Sequence, residues 1–129
     1  MRAKEGKRLS LSLWSKSDSD ERKIAEMIQA ELSKLGVEIK IEQFDPSSIR
    51  AEFKKGVHDL VVRSYDWDNA DILEWFFNST RPGYPNVAMW HNNESDYLMQ
   101  KAMTRSKNSE ERVANFKKYH EYLLSQFVW

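Results

Sequence analysis

Residues 65–71 read Tyr-Asp-Trp-Asp-Asn-Ala-Asp, placing three carboxylates and two large aromatic rings within seven positions. A carboxylate accepts charge-assisted hydrogen bonds from an amine and ordinary ones from hydroxyls. A ring beside it offers flat apolar area for a side chain or a sugar face. An aromatic floor with a few placed polar groups is the usual make-up of a small-molecule site. Tyr65, Trp67, Asp68 and Asp71 are therefore candidate binding residues, joined further along by Trp90. Each has a plainer alternative. Asp68 and Asp71 stand where a helix cap belongs, because Ile72 onward reads helical. Asp66 reads as a solvated loop residue, Trp75, Phe76 and Phe77 as core, and Trp90 as core or cleft.

Other chemistry finds little support. Asp66, Asp68 and Asp71 suit an acid/base pair only if two carboxyls face a cleft at a defined separation, as in glycoside hydrolysis. His58, His91 and His120 are scattered, and His91 with Glu94 is too small a set for a metal. The sequence has no glycine-rich phosphate loop and no Gly-x-Ser-x-Gly elbow. Cysteine is absent, which excludes disulfides, thiolate ligands and thiol nucleophiles. A response-regulator-like interaction domain would use Asp45 or Asp59 as phosphoacceptor, but the partner lysine after a late strand cannot be placed. Twenty basic residues balance twenty acidic ones, so nothing supplies the field that nucleic acid requires. No apolar run approaches a membrane span. The expectation is a binding protein without catalysis, metal or cofactor, and without nucleic-acid or membrane-inserted partners.

The elements that position these residues follow from periodicity. Leu9, Leu11 and Leu13 alternate with serines, which reads as a strand. Asp18 with Glu21 forms a capping box for a helix whose apolar face is Ile24, Ile28, Leu32 and Leu35, ended by Gly36. Val37, Ile39 and Ile41 alternate with charged residues, as on an edge strand. Asp45-Pro46 caps a short helix bearing Ile49 and Phe53, and Gly56 ends it. The apolar run of residues 59–65 reads as a strand buried on both faces. This β-α-β-α-β order predicts a parallel sheet, strands ordered second, first, third. Ligands of such sheets sit beyond the carboxyl ends of the strands, which is where Trp14-Ser15-Lys16, Phe44-Asp45 and residues 65–71 leave. Helices are predicted for residues 71–78, for 95–106 with Leu98, Met99, Ala102 and Met103 inward, and from an Asn108–Glu111 cap to the end. The last carries Val113, Phe116, His120, Leu123 and Phe127 as its stripe. Val87 to Trp90 reads as a short extended piece.

Taken in order, Ile28 to Leu35 with Gly36-Val37, Gly56-Val57-His58-Asp59-Leu60, Tyr65-Asp66-Trp67-Asp68, Asp71, Asn86, Trp90, Asp96-Tyr97-Leu98, Ala102 and Glu111-Arg112 resemble the second lobe of the oligopeptide-binding (family 5) extracellular solute-binding proteins of ABC importers. The resemblance covers nearly the whole chain. It implies one α/β lobe of a periplasmic-binding-protein type II fold, a single domain over residues 1–129 with residues 1–8 as linker, and a two-lobed parent outside the cytoplasm that works with an ABC permease. It implies a buried Asp-Leu pair at Asp59-Leu60 and a carboxylate at Asp68 that grips a peptide's amino terminus. Ile72 stands where most relatives have proline, and Trp67 also resembles members that bind oligosaccharides, so the implied small-molecule ligand is a peptide or an oligosaccharide. Residues 1–7 show no apolar stretch behind their charges, and the chain stops on Phe127-Val128-Trp129. The expectation is a piece of a longer exported protein that holds half a cleft.

Overall fold

The computed structural model describes residues 3–4, 7–17 and 19–128. Asp18, half of the expected first capping box, and Trp129 lie outside the described residues. The chain divides into two compact units, Met1–Asp66 and Trp67–Trp129.

In the first unit β1 (Ala3–Lys4) pairs antiparallel with β2 (Lys7–Arg8), where the sequence suggests a linker. Then follow β3 (Ser10–Lys16), α1 (Ser19–Lys34), β4 (Glu38–Phe44), α2 (Ile49–Phe53) and β5 (Leu60–Val61). The last three strands form a parallel sheet in the order β4-β3-β5, as the charged pattern of the second long strand predicts. Leu13 lies opposite Ile41 and Leu60, and Trp14 opposite Glu42 and Val61.

The chain steps one way from β3 to β4 and back past β3 to β5. Right-handed crossovers then send α1 and α2 to opposite faces. Strand alternation serves both. Leu13 and Ile39 meet Ala25 of α1, with Leu11, Ile28, Leu32, Val37, Ile41, Leu60 and Val62 packed around them. Trp14 points the other way and is buried, its ring centroid 4.7 Å from Phe44, 5.1 Å from His58 and 5.9 Å from Phe53 of α2. It is a core residue of the strand and not part of a loop leaving it.

Several sequence expectations shift. The inward face of α1 runs through Glu21, Ala25, Ile28 and Leu32, while Ile24 and Leu35 are exposed. Asp45 does not cap α2; its carbonyl accepts from the amides of Ser48 and Ile49, and the helix starts later. The third strand of the sheet is only two residues long, and Asp59 before it is exposed, not buried. The Asp59 carboxylate accepts from the Ser12 amide (2.8 Å) and hydroxyl (3.1 Å), and the Asp59 amide donates to the Ser12 hydroxyl (3.0 Å). A side chain thus replaces the backbone ladder at this end. The Ser12 amide, more than its hydroxyl, holds the Asp59 carboxyl below the usual carboxylate range.

At the other end of the sheet sits Glu21, only 2% exposed, in the first turn of α1. Its carboxylate accepts from the Lys16 amide at 2.9 Å and from the Ser64 amide and hydroxyl at 3.2 Å each. The Lys16 ammonium lies 3.2 Å away. One buried charge therefore joins the carboxyl end of β3 to the segment that follows β5. Removing it strands two amides, each costing roughly 1–3 kcal/mol if left unpaired. Glu21→Ala is expected to lower unfolding free energy by about 2–4 kcal/mol in urea melts, while the exposed control Asp20→Ala changes it by less than about 0.5 kcal/mol.

The second unit holds α3 (Ile72–Phe77), α4 (Asn93–Thr104) and α5 (Ser109–Ser125). Leu73, Phe76, Phe77, Met99, Ala102, Phe116, Tyr119 and Leu123 form its core, with Leu98 and Met103 partly buried against it. The Asn92 side chain caps α4 by accepting from the Ser95 amide at 2.9 Å. The Asn108 side chain accepts from the Glu111 amide at 2.9 Å, as the capping box predicts. The return bond from Glu111 goes to the Lys107 amide instead of to Asn108. The inward stripe of α5 is Asn115, Phe116, Tyr119 and Leu123; Val113, His120 and Phe127 face solvent. Residues 87–90 form turn and irregular chain, not an extended piece, with Met89 at φ 52°.

Burial pushes the Tyr119 phenol up to about 12. The sign follows from linkage. Below the ordinary tyrosine range both folded and unfolded chains keep the proton, and stability is full. Between pH 10 and 12 the unfolded chain loses its proton first, so stability falls by about 1.4 kcal/mol per pH unit. Alkaline urea melts of the wild type are expected to show this slope, and Tyr119→Phe to show one shallower by that amount.

Candidate functional site

Past β5 the chain loses its ladder within one residue: the Val62 amide still donates to the Trp14 carbonyl at 2.8 Å, and Ser64 is taken by Glu21. Tyr65 closes the first unit as an exposed ring. The Arg63 guanidinium lies 5.1 Å over it and its Nε donates to the Tyr65 hydroxyl at 3.3 Å.

Trp67, Asp68 and Asp71 open the second unit on one exposed loop. Trp67 is 48% exposed and meets Trp75 edge to face, ring centroids 5.3 Å apart. Trp75, expected in the core, is 37% exposed. The cause is helical spacing: α3 buries positions 73, 76 and 77, which leaves position 75 on the outer face. Arg81 backs this pair, its guanidinium 5.8 Å over the Trp75 ring and 3.3 Å from Glu74.

The three carboxylates of this stretch have separate surroundings. Asp66 ends the first unit and is exposed. Asp71 directly precedes α3 but already has helical backbone angles (φ −63°, ψ −17°), and its side chain makes no cap bond. The Asp71 carbonyl accepts from the Glu74 and Trp75 amides, while its carboxylate accepts from Arg112 Nη2 at 2.6 Å. Asp68 is exposed, and among the described residues no cation or hydrogen-bond donor pairs with it. The loop thus carries one neutralised and one uncompensated carboxylate beside a half-exposed indole.

Trp90 belongs to a different loop and is half-buried against the helical core. Asn86, fully buried, holds it there. Its amide nitrogen donates to the Asn78 carbonyl (3.1 Å) and the Trp90 carbonyl (2.8 Å), and its oxygen accepts from the Trp90 amide (3.0 Å). Asn86 stood out only as part of a family pattern, because its partners lie four and eight residues away in an irregular loop. Glu21 stood out only as half of a capping box and Arg112 only as part of the family pattern; their bonds to Ser64 and Asp71 span 43 and 41 residues, which no local spacing reveals. Among the described residues no group of three or more His, Asp or Glu side chains is placed to hold a metal ion.

No family model matches the chain. The Escherichia coli "Probable D,D-dipeptide-binding periplasmic protein DdpA" is 30% identical over 95 residues, covering 70% of this chain and 18% of that protein. The Pseudomonas aeruginosa "Di/tripeptide-binding protein 2" is 27% identical over 126 residues, covering 94% of this chain and 23% of that protein. The chain therefore spans about a fifth of the length of these curated relatives. Among solved structures, the Escherichia coli murein tripeptide binding protein MppA superimposes with a TM-score of 0.82 over 93% of this chain and 24% of its own, at 22% identity. The fold is an α/β lobe of the periplasmic-binding-protein type, with a three-stranded parallel sheet and helices. The chain belongs to the family 5 (peptide/nickel-binding) solute-binding proteins. The relatives it matches are named as binding proteins.

The Asn86 network makes a direct prediction for this half of the chain. Asn86→Asp replaces two donated hydrogen bonds with a buried charge facing two carbonyls. It is expected to cost roughly 2–4 kcal/mol of stability, read as a lower urea midpoint with blue-shift loss in Trp90 emission.

Proposed function

We propose that this chain is the portion of an ABC importer's solute-binding protein that presents Asp68 to the amino terminus of a peptide, with Trp67 beside it as apolar wall. The observation that carries this reading is the uncompensated, exposed Asp68 carboxylate next to a half-exposed indole, on a loop whose Asp71 is already paired with Arg112. An ammonium group is the partner such a site lacks. A charge-assisted bond to it is worth about 1.5–3 kcal/mol, so binding would favour free-amine ligands over blocked ones.

Peptide is favoured over oligosaccharide by the names of the matched relatives, which are dipeptide, di/tripeptide and murein tripeptide binders. The parent protein would act outside the cytoplasm, where DdpA is named as periplasmic, and would hand its ligand to a permease. A second lobe would close the cleft, and ligand would shift that closure only by its preference for the closed form. Tyr65, two residues before Trp67 in sequence, and Trp90, on the loop that Asn86 holds, are further candidate aromatic contacts for a ligand. The isolated 129-residue chain is expected to bind peptide weakly, since it would provide one wall.

Calorimetry on the full-length protein with the alanine di-, tri- and tetrapeptides tests the assignment. Free-amine peptides should bind at least about 10-fold tighter than their N-acetyl forms, and Asp68→Asn should erase that preference. Equal affinity for free and acetylated peptides, or an unchanged preference in Asp68→Asn, would overturn it.

A further inference from the structure

Arg112 is held from three sides. Its Nη1 donates to the carbonyls of Met103 (3.0 Å) and Ala102 (3.4 Å) at the end of α4. Its guanidinium lies 5.0 Å over the Phe116 ring. Its Nη2 donates to the Asp71 carboxylate at 2.6 Å. A guanidinium fixed in this way has lost its side-chain freedom already, so pairing with Asp71 costs little further entropy. Helix C-terminal carbonyls welcome the charge. The pair joins positions 41 residues apart in sequence, and it ties the start of α3 to the α4–α5 corner.

Asp71 is the residue through which the exposed loop enters α3. Its amide donates to the Asn69 side chain at 2.9 Å, and its carbonyl begins the helix. Little else in the second unit grips the loop: Trp67 touches Trp75, and residues 68–70 are exposed. We infer that Arg112 is a positioning residue for the Asp68 loop: by neutralising and anchoring Asp71, it fixes the loop's exit and removes Asp71 as a competitor of Asp68 for a ligand ammonium. This rests on the reading of Asp68 given above. It separates two acidic residues three positions apart into an anchor and a ligand group, and it assigns Arg112 a role no ligand contact would reveal.

Amide hydrogen exchange by NMR on the 129-residue chain tests the anchor without any ligand. Asp71→Asn should speed exchange at Asp71, Leu73 and Glu74 roughly 5-fold, the modest size fitting a half-exposed pair. The last turn of α4 should stay within about 2-fold of wild type, because Arg112 still holds the Met103 and Ala102 carbonyls. Arg112→Met should speed exchange at both places. If Asp71→Asn leaves residues 71–74 unchanged, or loosens α4 and α5 equally, the inference is overturned. In the full-length protein, Asp71→Asn should weaken binding of free-amine trialanine roughly 5-fold while leaving N-acetyl trialanine unaffected; equal weakening of both would also overturn it. If the wild type shows no amine preference, the Asp68 reading fails, and the exchange result still decides the anchor by itself.

Discussion

A carboxylate buried at the edge of a sheet must be satisfied, and Glu21 draws on groups at the carboxyl end of one strand and just beyond its neighbour. Its acceptors take the amides of Lys16 and Ser64, so the first turn of α1 closes over β3 and the segment after β5 together. The opposite end of the same strand pair is closed by Asp59 on Ser12. With only two residues of β5 in the ladder, these two carboxylates supply the pairing that backbone bonds do not. They also set where the chain leaves the sheet, four residues before Trp67 as counted from Arg63.

The second unit solves a parallel problem with different chemistry. An exposed loop carrying unpaired charge has few contacts to order it. Here Asp71–Arg112 anchors its exit and Trp67–Trp75 rests one ring against α3. Asn86 does the same for the loop that carries Trp90, using both ends of its amide. Each device ties irregular chain to a helix whose own face is buried in the core of Leu73, Phe76, Met99, Phe116, Tyr119 and Leu123. Arginines neutralise Asp71 and Glu74, whereas Asp68 keeps its charge exposed.

The strand order was legible because charge alternates along residues 37–42 while the neighbouring runs are apolar, a pattern set by the edge itself. The cap at Asn108 rests on a local bond and left a local signature; the cap at Asn92 is as local, but the helix was expected to start at Ser95. Faces were less legible. Ile24 looked inward on α1 until Glu21 took a buried position one turn earlier, rotating the stripe to Ala25 and Ile28. On α5 Tyr119 displaced His120, because a phenol can bury its ring and still reach the Leu73 carbonyl at 3.4 Å. Trp75 looked like core by residue type alone. The aromatic and acidic richness of residues 65–71 singled out this segment, which is exposed over residues 65–70, but not which of its carboxylates is ion-paired. That pairing depends on Arg112, and no spacing rule connects position 71 to position 112.

The central claim is that the Asp68 carboxylate receives the ammonium of a bound peptide. A crystal structure of the full-length protein with trialanine measures this directly. The account predicts an Asp68 oxygen about 2.7–2.9 Å from the peptide's amino nitrogen, the length of a charge-assisted bond. A peptide amine held by another group, with Asp68 left in solvent, would contradict it.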